Sequence, residues 1–288
     1  MKLIKKLLFW LLIAVGVAML VFTTMWWLNA PEPWDETSES AARLDQAPFE
    51  LASIKLSFDD TTRSTPALGE FEGADSRSLN GTIWYPAGNS KNHPILVFSH
   101  GFGSYHRGSR HIAQYLAKNG YVVAAVDFPL SHTRSPAGSP QLLDIVNQPG
   151  DVTAVIDHLV GLNDNADHPL HQRLDVEKVG AFGLSLGGLT TALVSYHPDY
   201  TDPRIQAAVM MAPPLEAFSP AFFASNPKVK SLVFSGSMDL VVPEKANATQ
   251  VQDRHPQGWF LSLDKGSHLG FANVANPIRW MENPDDLG

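Results

Sequence analysis

Cysteine is absent from the 288 residues. Its absence excludes disulfides, iron–sulfur clusters, thiolate zinc sites and a cysteine nucleophile. Basic clusters are scarce as well. Beyond Lys2, Lys5 and Lys6 no run of Lys or Arg occurs, and 21 basic residues face 29 acidic ones for a formal charge of −8. Nucleic acid therefore has no electrostatic footprint here. There is no G-x-x-x-x-G-K-[ST] phosphate loop, and neither GFGSYHRG nor the stretch around residue 185 gives the G-x-G-x-x-G dinucleotide fingerprint. What remains is the chemistry of Ser, His and Asp.

Long hydrophobic runs are also missing, with one exception. Residues 7–28 (LLFWLLIAVGVAMLVFTTMWWL) carry no charge, enough for a helix to cross a hydrocarbon core of about 30 Å. Lys2, Lys5 and Lys6 precede it and Glu32, Asp35 and Glu36 follow. That asymmetry keeps the N-terminus cytoplasmic and places the remainder outside, in periplasm or extracellular space. Residues 1–28 are thus expected to be a transmembrane anchor. A cleaved signal segment, giving a secreted protein, is the alternative. Residues 29–50, rich in Pro, Glu and Ser, are expected to be a linker, and 51–288 the folded domain.

Within that domain strand and helix patterns alternate. Ile54–Phe58 and Leu79–Tyr85 suggest strands, the second weakened by Asn80-Gly81. Pro94–Ser99, Tyr121–Val126, Lys178–Phe182, Ile205–Met211, Lys230–Ser235 and Trp259–Leu263 complete the set, several as continuous apolar runs suited to a sheet buried on both faces. His111–Lys118, Asp151–Val160, Ser185–Tyr196 and Val242–Asp253 have helical spacing. The order predicts an α/β domain: a mostly parallel, doubly wound sheet flanked by helices. Ala212–Pro227 is the only room for a cap after the sixth strand, too short for a large lid domain.

Gly183-Leu184-Ser185-Leu186-Gly187 matches G-x-S-x-G between a strand and a helix. A turn this sharp needs small neighbours. It lifts Ser185 Oγ out of the sheet at a helix N-terminus, where the Leu186 N–H favours an oxyanion. A serine nucleophile needs a base, and the base an orienting acid, in chain order Ser, acid, His. Asp239 in GSMDLVVP and His268 in DKGSHLGF follow successive strands, on loops at the carboxyl edge where open α/β sheets carry their sites. Asp264 and Asp127 are alternative acids. His100-Gly101-Phe102-Gly103 follows the first long buried strand, so the N–H groups of Phe102 and Leu186 are the expected oxyanion donors, with His100 packing beneath the loop.

Together FSHGFGS, YLAKNGYVVAAVDFP, GAFGLSLGG, GSMDLVVP and GSHLGF resemble the α/β-hydrolase superfamily over about residues 80–280. Within it the chain is similar to bacterial predicted dienelactone hydrolases and the platelet-activating-factor acetylhydrolase group. The resemblance implies Ser185 as nucleophile, Asp239 as acid, His268 as base, oxyanion donors at Phe102 and Leu186, and no metal or cofactor. Dienelactone hydrolases proper use a Cys nucleophile, which this chain lacks. Carboxylester hydrolysis through an acyl-enzyme is therefore the expectation, on a small-molecule or lipid-like ester. The alternatives are an amidase, peptidase or acyltransferase on the same fold, or a non-catalytic membrane-tethered binding module.

Overall fold

The computed structural model describes residues 2–28, 37, 39, 42–43, 46–249, 251, 255 and 258–272. In the first helix the described side chains are those of residues 5–6 and 8–24. Eight strands form one sheet: β1 (Leu51–Asp60), β2 (Arg77–Pro86), β3 (His93–Ser99), β4 (Val122–Asp127), β5 (Leu174–Leu184), β6 (Ile205–Met211), β7 (Lys230–Gly236) and β8 (Gly258–Leu263), in the order β1-β2-β4-β3-β5-β6-β7-β8. β1 pairs antiparallel with β2, and β2 with β4; every later pairing is parallel. The expected mostly parallel α/β sheet is what the chain forms.

The helices are α1 (Lys2–Leu28), α2 (Arg110–Lys118), α3 (Gln148–Asp164), α4 (Leu186–Tyr196) and the short α5 (Pro220–Ala224). α3 places Val152, Val155, Ile156 and Leu159, at helical spacing, against Ile83, Ile95, Val97 and Val122 of the sheet. α2 places Ala113 and Ala117 on the other face, against Phe98, Val123, Ala125 and Phe182. Burying each such Val, Ile or Phe stabilises by about 1.5–3 kcal/mol. Alternating residues of the parallel strands feed the two clusters, which is why those strands read as unbroken apolar runs.

Several boundaries differ from the sequence expectation. Asn80-Gly81 is no turn: Gly81 pairs with Leu56 on one side and Val126 on the other. α3 begins at Gln148, with Pro149 in its first turn, where a missing N–H costs nothing. The helix expected over Val242–Asp253 does not start at Val242, whose N–H donates to Asp239 Oδ1 at 2.7 Å. Residues 244–248 form turns instead, and part of that span lies outside the described residues. In the candidate cap, Phe223 is buried and Phe218 and Phe222 pack with it on Tyr196, so the segment folds back onto α4.

The expectation at the N-terminus is corrected. Among the described residues no helix is long and apolar enough to cross a membrane. A membrane tether is therefore not supported. The expected linker, 29–50, lies mostly outside the described residues. Its end is docked, with the Phe49 N–H donating to the Lys118 carbonyl at 3.1 Å.

Candidate active site

The carboxyl ends of β3, β5, β6 and β7 lie side by side, and the predicted site residues sit just past them or on the next loop. Ser185 follows β5 with φ 55° and ψ −119°, a region that L-residues seldom occupy. The strain is held in place by its surroundings. The Ser185 N–H donates to the Met211 carbonyl at 2.8 Å. A Cβ on Gly187 would lie 2.0 Å from the Ser99 carbonyl oxygen, and one on Gly183 2.1 Å from the Gly187 carbonyl oxygen. The two glycines are thus demanded by backbone packed on backbone. Ser185 caps α4, and the Leu186 N–H is one of the first-turn donors that no helical carbonyl can satisfy.

Asp239 and His268 meet. His268 Nδ1 lies 2.8 Å from Asp239 Oδ2, and the carboxylate side chain is fully buried. The other oxygen, Oδ1, accepts the N–H groups of Val241 at 3.0 Å and Val242 at 2.7 Å. With Oδ2 accepting the Nδ1 proton, Nε2 is left to act as a base. The two loops are stitched together: the Met238 N–H donates to the Gly266 carbonyl at 2.9 Å, and the Ser237 N–H to the Leu263 carbonyl at 3.0 Å. Just past His268, Phe271 and Ala272 pack on the cluster of Phe182, Leu184, Met211 and Ala212. The histidine's loop therefore closes over the strand ends that bear Ser185.

The alternative acids are placed elsewhere. Asp264 is exposed. Asp127 accepts both the backbone N–H and the Nδ1 of His106 at 2.7 Å. Burial alone would raise its pKa, but those bonds outweigh it and hold the carboxyl below its usual range.

The loop after β3 carries Phe102, about half exposed at 49%, so its ring is not core. Its N–H donates to no protein acceptor among the described residues. His100 is buried beneath: Nε2 accepts the Phe128 N–H at 3.1 Å, and Nδ1 donates to the Gly101 carbonyl at 2.8 Å. Burial lowers its pKa to about 4, so it is a neutral brace. Leu240 and Val241, 56% and 58% exposed, form an apolar rim beside Asp239. Among the described residues no group of three or more His, Asp or Glu could hold a metal ion.

Sequence reading missed the supports of this edge. Arg77, fully buried, bridges Asp144 and Asp151, reaching Asp151 Oδ1 and Oδ2 at 2.6 Å each. Asp144 in turn accepts the Leu130 N–H at 3.2 Å. These partners are dozens of residues apart, and nothing local marks them.

A parallel sheet with a strained serine between strand and helix, and a buried His–Asp pair on the following loops, defines an α/β-hydrolase-type protein. The model of the PETase family, described as PET hydrolase-like, matches residues 66–282. The chain belongs to that family, and is an ester hydrolase of the α/β-hydrolase type. No curated protein sequence matches it.

Proposed function

We propose that the chain is a serine carboxylester hydrolase in which Ser185, His268 and Asp239 form the triad and the Phe102 and Leu186 N–H groups the oxyanion hole. The observation that carries this reading is the buried His268–Asp239 contact on loops packed over the strand end that bears the strained Ser185.

The chemistry follows from the tautomer. As Ser185 Oγ bonds to the ester carbonyl carbon, its proton passes to His268 Nε2 and the carbonyl electron pair moves to oxygen. That oxyanion is met by the two backbone donors, each worth about 2.7–4 kcal/mol in the barrier. Asp239 holds the ring and stabilises the imidazolium. Collapse breaks the bond to the leaving alkoxide, which takes the proton from Nε2 and departs as alcohol. Water then repeats the sequence on the acyl-enzyme, returning acid and free Ser185.

The 51–288 segment is the hydrolase domain in this reading. Its position outside the cytoplasm, with residues 1–28 as a cleaved signal segment, rests on the lysines before the apolar run of residues 7–28. The test is Ser185→Ala, assayed with p-nitrophenyl butyrate and by fluorophosphonate labelling. Turnover is expected to fall by about 10⁶-fold with labelling lost and the fold retained. Turnover close to the native rate refutes the assignment.

A further inference from the structure

We propose that Gln148 is a positioning residue that sets the separation of the two oxyanion donors, by tying the helix of the nucleophile to the loop that carries Phe102. The proposal rests on the triad reading above. Residues 99–101 of the oxyanion loop are seated directly, since Gly187 presses on the Ser99 backbone. The tip, residues 102–104, has no such seat. It is clamped to a neighbouring segment by two backbone bonds: the Gly103 N–H to the Ser131 carbonyl at 2.9 Å, and the Thr133 N–H to the Ser104 carbonyl at 2.8 Å. Where residues 131–133 sit therefore decides where the Phe102 N–H points.

That segment is referred to α4 through one side chain. Gln148 Nε2 donates to Ser131 Oγ at 2.8 Å, and its Oε1 accepts the Thr190 hydroxyl. Thr190 lies one turn into α4 from Leu186, whose carbonyl its hydroxyl also reaches at 3.1 Å. Gln148, Ser131 and Thr190 are all fully buried. The path runs Leu186, Thr190, Gln148, Ser131, Gly103, Phe102, and its two ends are the two donors. A buried, hydrogen-bonded strut has little freedom to relax. The Asp144 carboxylate, held by Arg77, fixes the adjacent Leu130 from the other side. Fixed donors aimed at developing charge are what a tetrahedral intermediate needs, and displacements near 1 Å are costly.

The test uses the full chain and three variants: Gln148→Met, Ser131→Ala and Thr190→Val. Activity toward p-nitrophenyl butyrate is expressed per site titrated with a fluorophosphonate, and phenylboronic acid serves as a tetrahedral-adduct mimic. Gln148→Met is expected to lower kcat per titrated site by about 10- to 100-fold, with KM within about twofold. Boronate affinity is expected to weaken in parallel, because the mimic uses the same donors. Adding Ser131→Ala to Gln148→Met should cost little more, since both cut one path. Should Gln148→Met fail to fold, the near-isosteric Thr190→Val makes the same break. A variant with native kcat per titrated site and native boronate affinity overturns the proposal, whatever its melting temperature. No labelling of Ser185 in the native protein overturns the triad reading itself, a failure visible before any variant is made.

Discussion

The proposed nucleophile elbow and the proposed acid–base corner hold their residues by different means. At the elbow, backbone packs on backbone: Ser185 is pinned at positive φ, and Gly183 and Gly187 leave no room for a methyl group. At the corner, hydrogen bonds do the holding. Asp239 gathers His268 and the N–H groups of Val241 and Val242, while the side chains beside it, Leu240 and Val241, face solvent. The elbow is intolerant of shape. The corner should be intolerant of chemistry at one carboxylate and indifferent to shape next to it.

After the loss of Ser185 itself, the largest expected effect comes from changing that chemistry. Asp239→Asn keeps the size but puts the wrong proton between acid and base, and kcat should fall by about 10⁴-fold with little change in melting temperature. Steady-state kinetics beside a thermal melt check both halves; a fall in stability without the loss in rate would erase the contrast.

Next comes the buried layer under the oxyanion loop. The folded pKa of His100 lies near 4, below its ordinary 6.5, because burial penalises the cation. The unfolded chain therefore binds the proton first. The contribution of His100 is intact above about pH 6.5 and is lost as pH falls toward 4, by about 3 kcal/mol in all. Denaturant unfolding at pH 7 and pH 4.5 should show this loss, and His100→Gln should flatten it. An unchanged pH slope in the variant would place the acid sensitivity elsewhere.

Adding one methyl at the elbow should cost about 1–3 kcal/mol. In Gly187→Ala the new Cβ meets the Ser99 carbonyl, so the loss of stability should come with loss of fluorophosphonate labelling. Wild-type labelling in a folded Gly187→Ala protein would show that the elbow yields. The smallest effect is expected at the rim of the corner. Leu240→Ala, exposed, should shift stability by no more than about 0.5 kcal/mol, read from the same melts.

Much of the site could be read before folding because its signals are local. G-x-S-x-G stands where an apolar strand gives way to a helical pattern, and Asp239 and His268 each follow a strand-like run. The His–Asp pairing was inferred from chain order, and the contact at 2.8 Å is where that order led. The strand boundaries were read less well. Asn80-Gly81 weakened the expected strand Leu79–Tyr85, yet the strand forms and pairing on both flanks makes the dipeptide mid-strand. Val242 looks helical, but the Asp239 side chain takes its N–H. In each case a partner distant in the chain or a side-chain acceptor overrode the local preference. The apolar stretch at the N-terminus is a different case: its lack of charge suggested a membrane crossing, and among the described residues no helix is long and apolar enough for one.

The sequence alone determined the class of this chain, because period, turn residues and motif order are properties of neighbours along the backbone. Beyond the His268–Asp239 pair, it could not determine which buried polar groups meet. That Arg77 bridges Asp144 and Asp151, and that Gln148 joins Thr190 to Ser131, was decided only in the tertiary structure. Once water is removed, a buried charge or amide is held by whichever partner the packed sheet brings within reach, however distant in the chain.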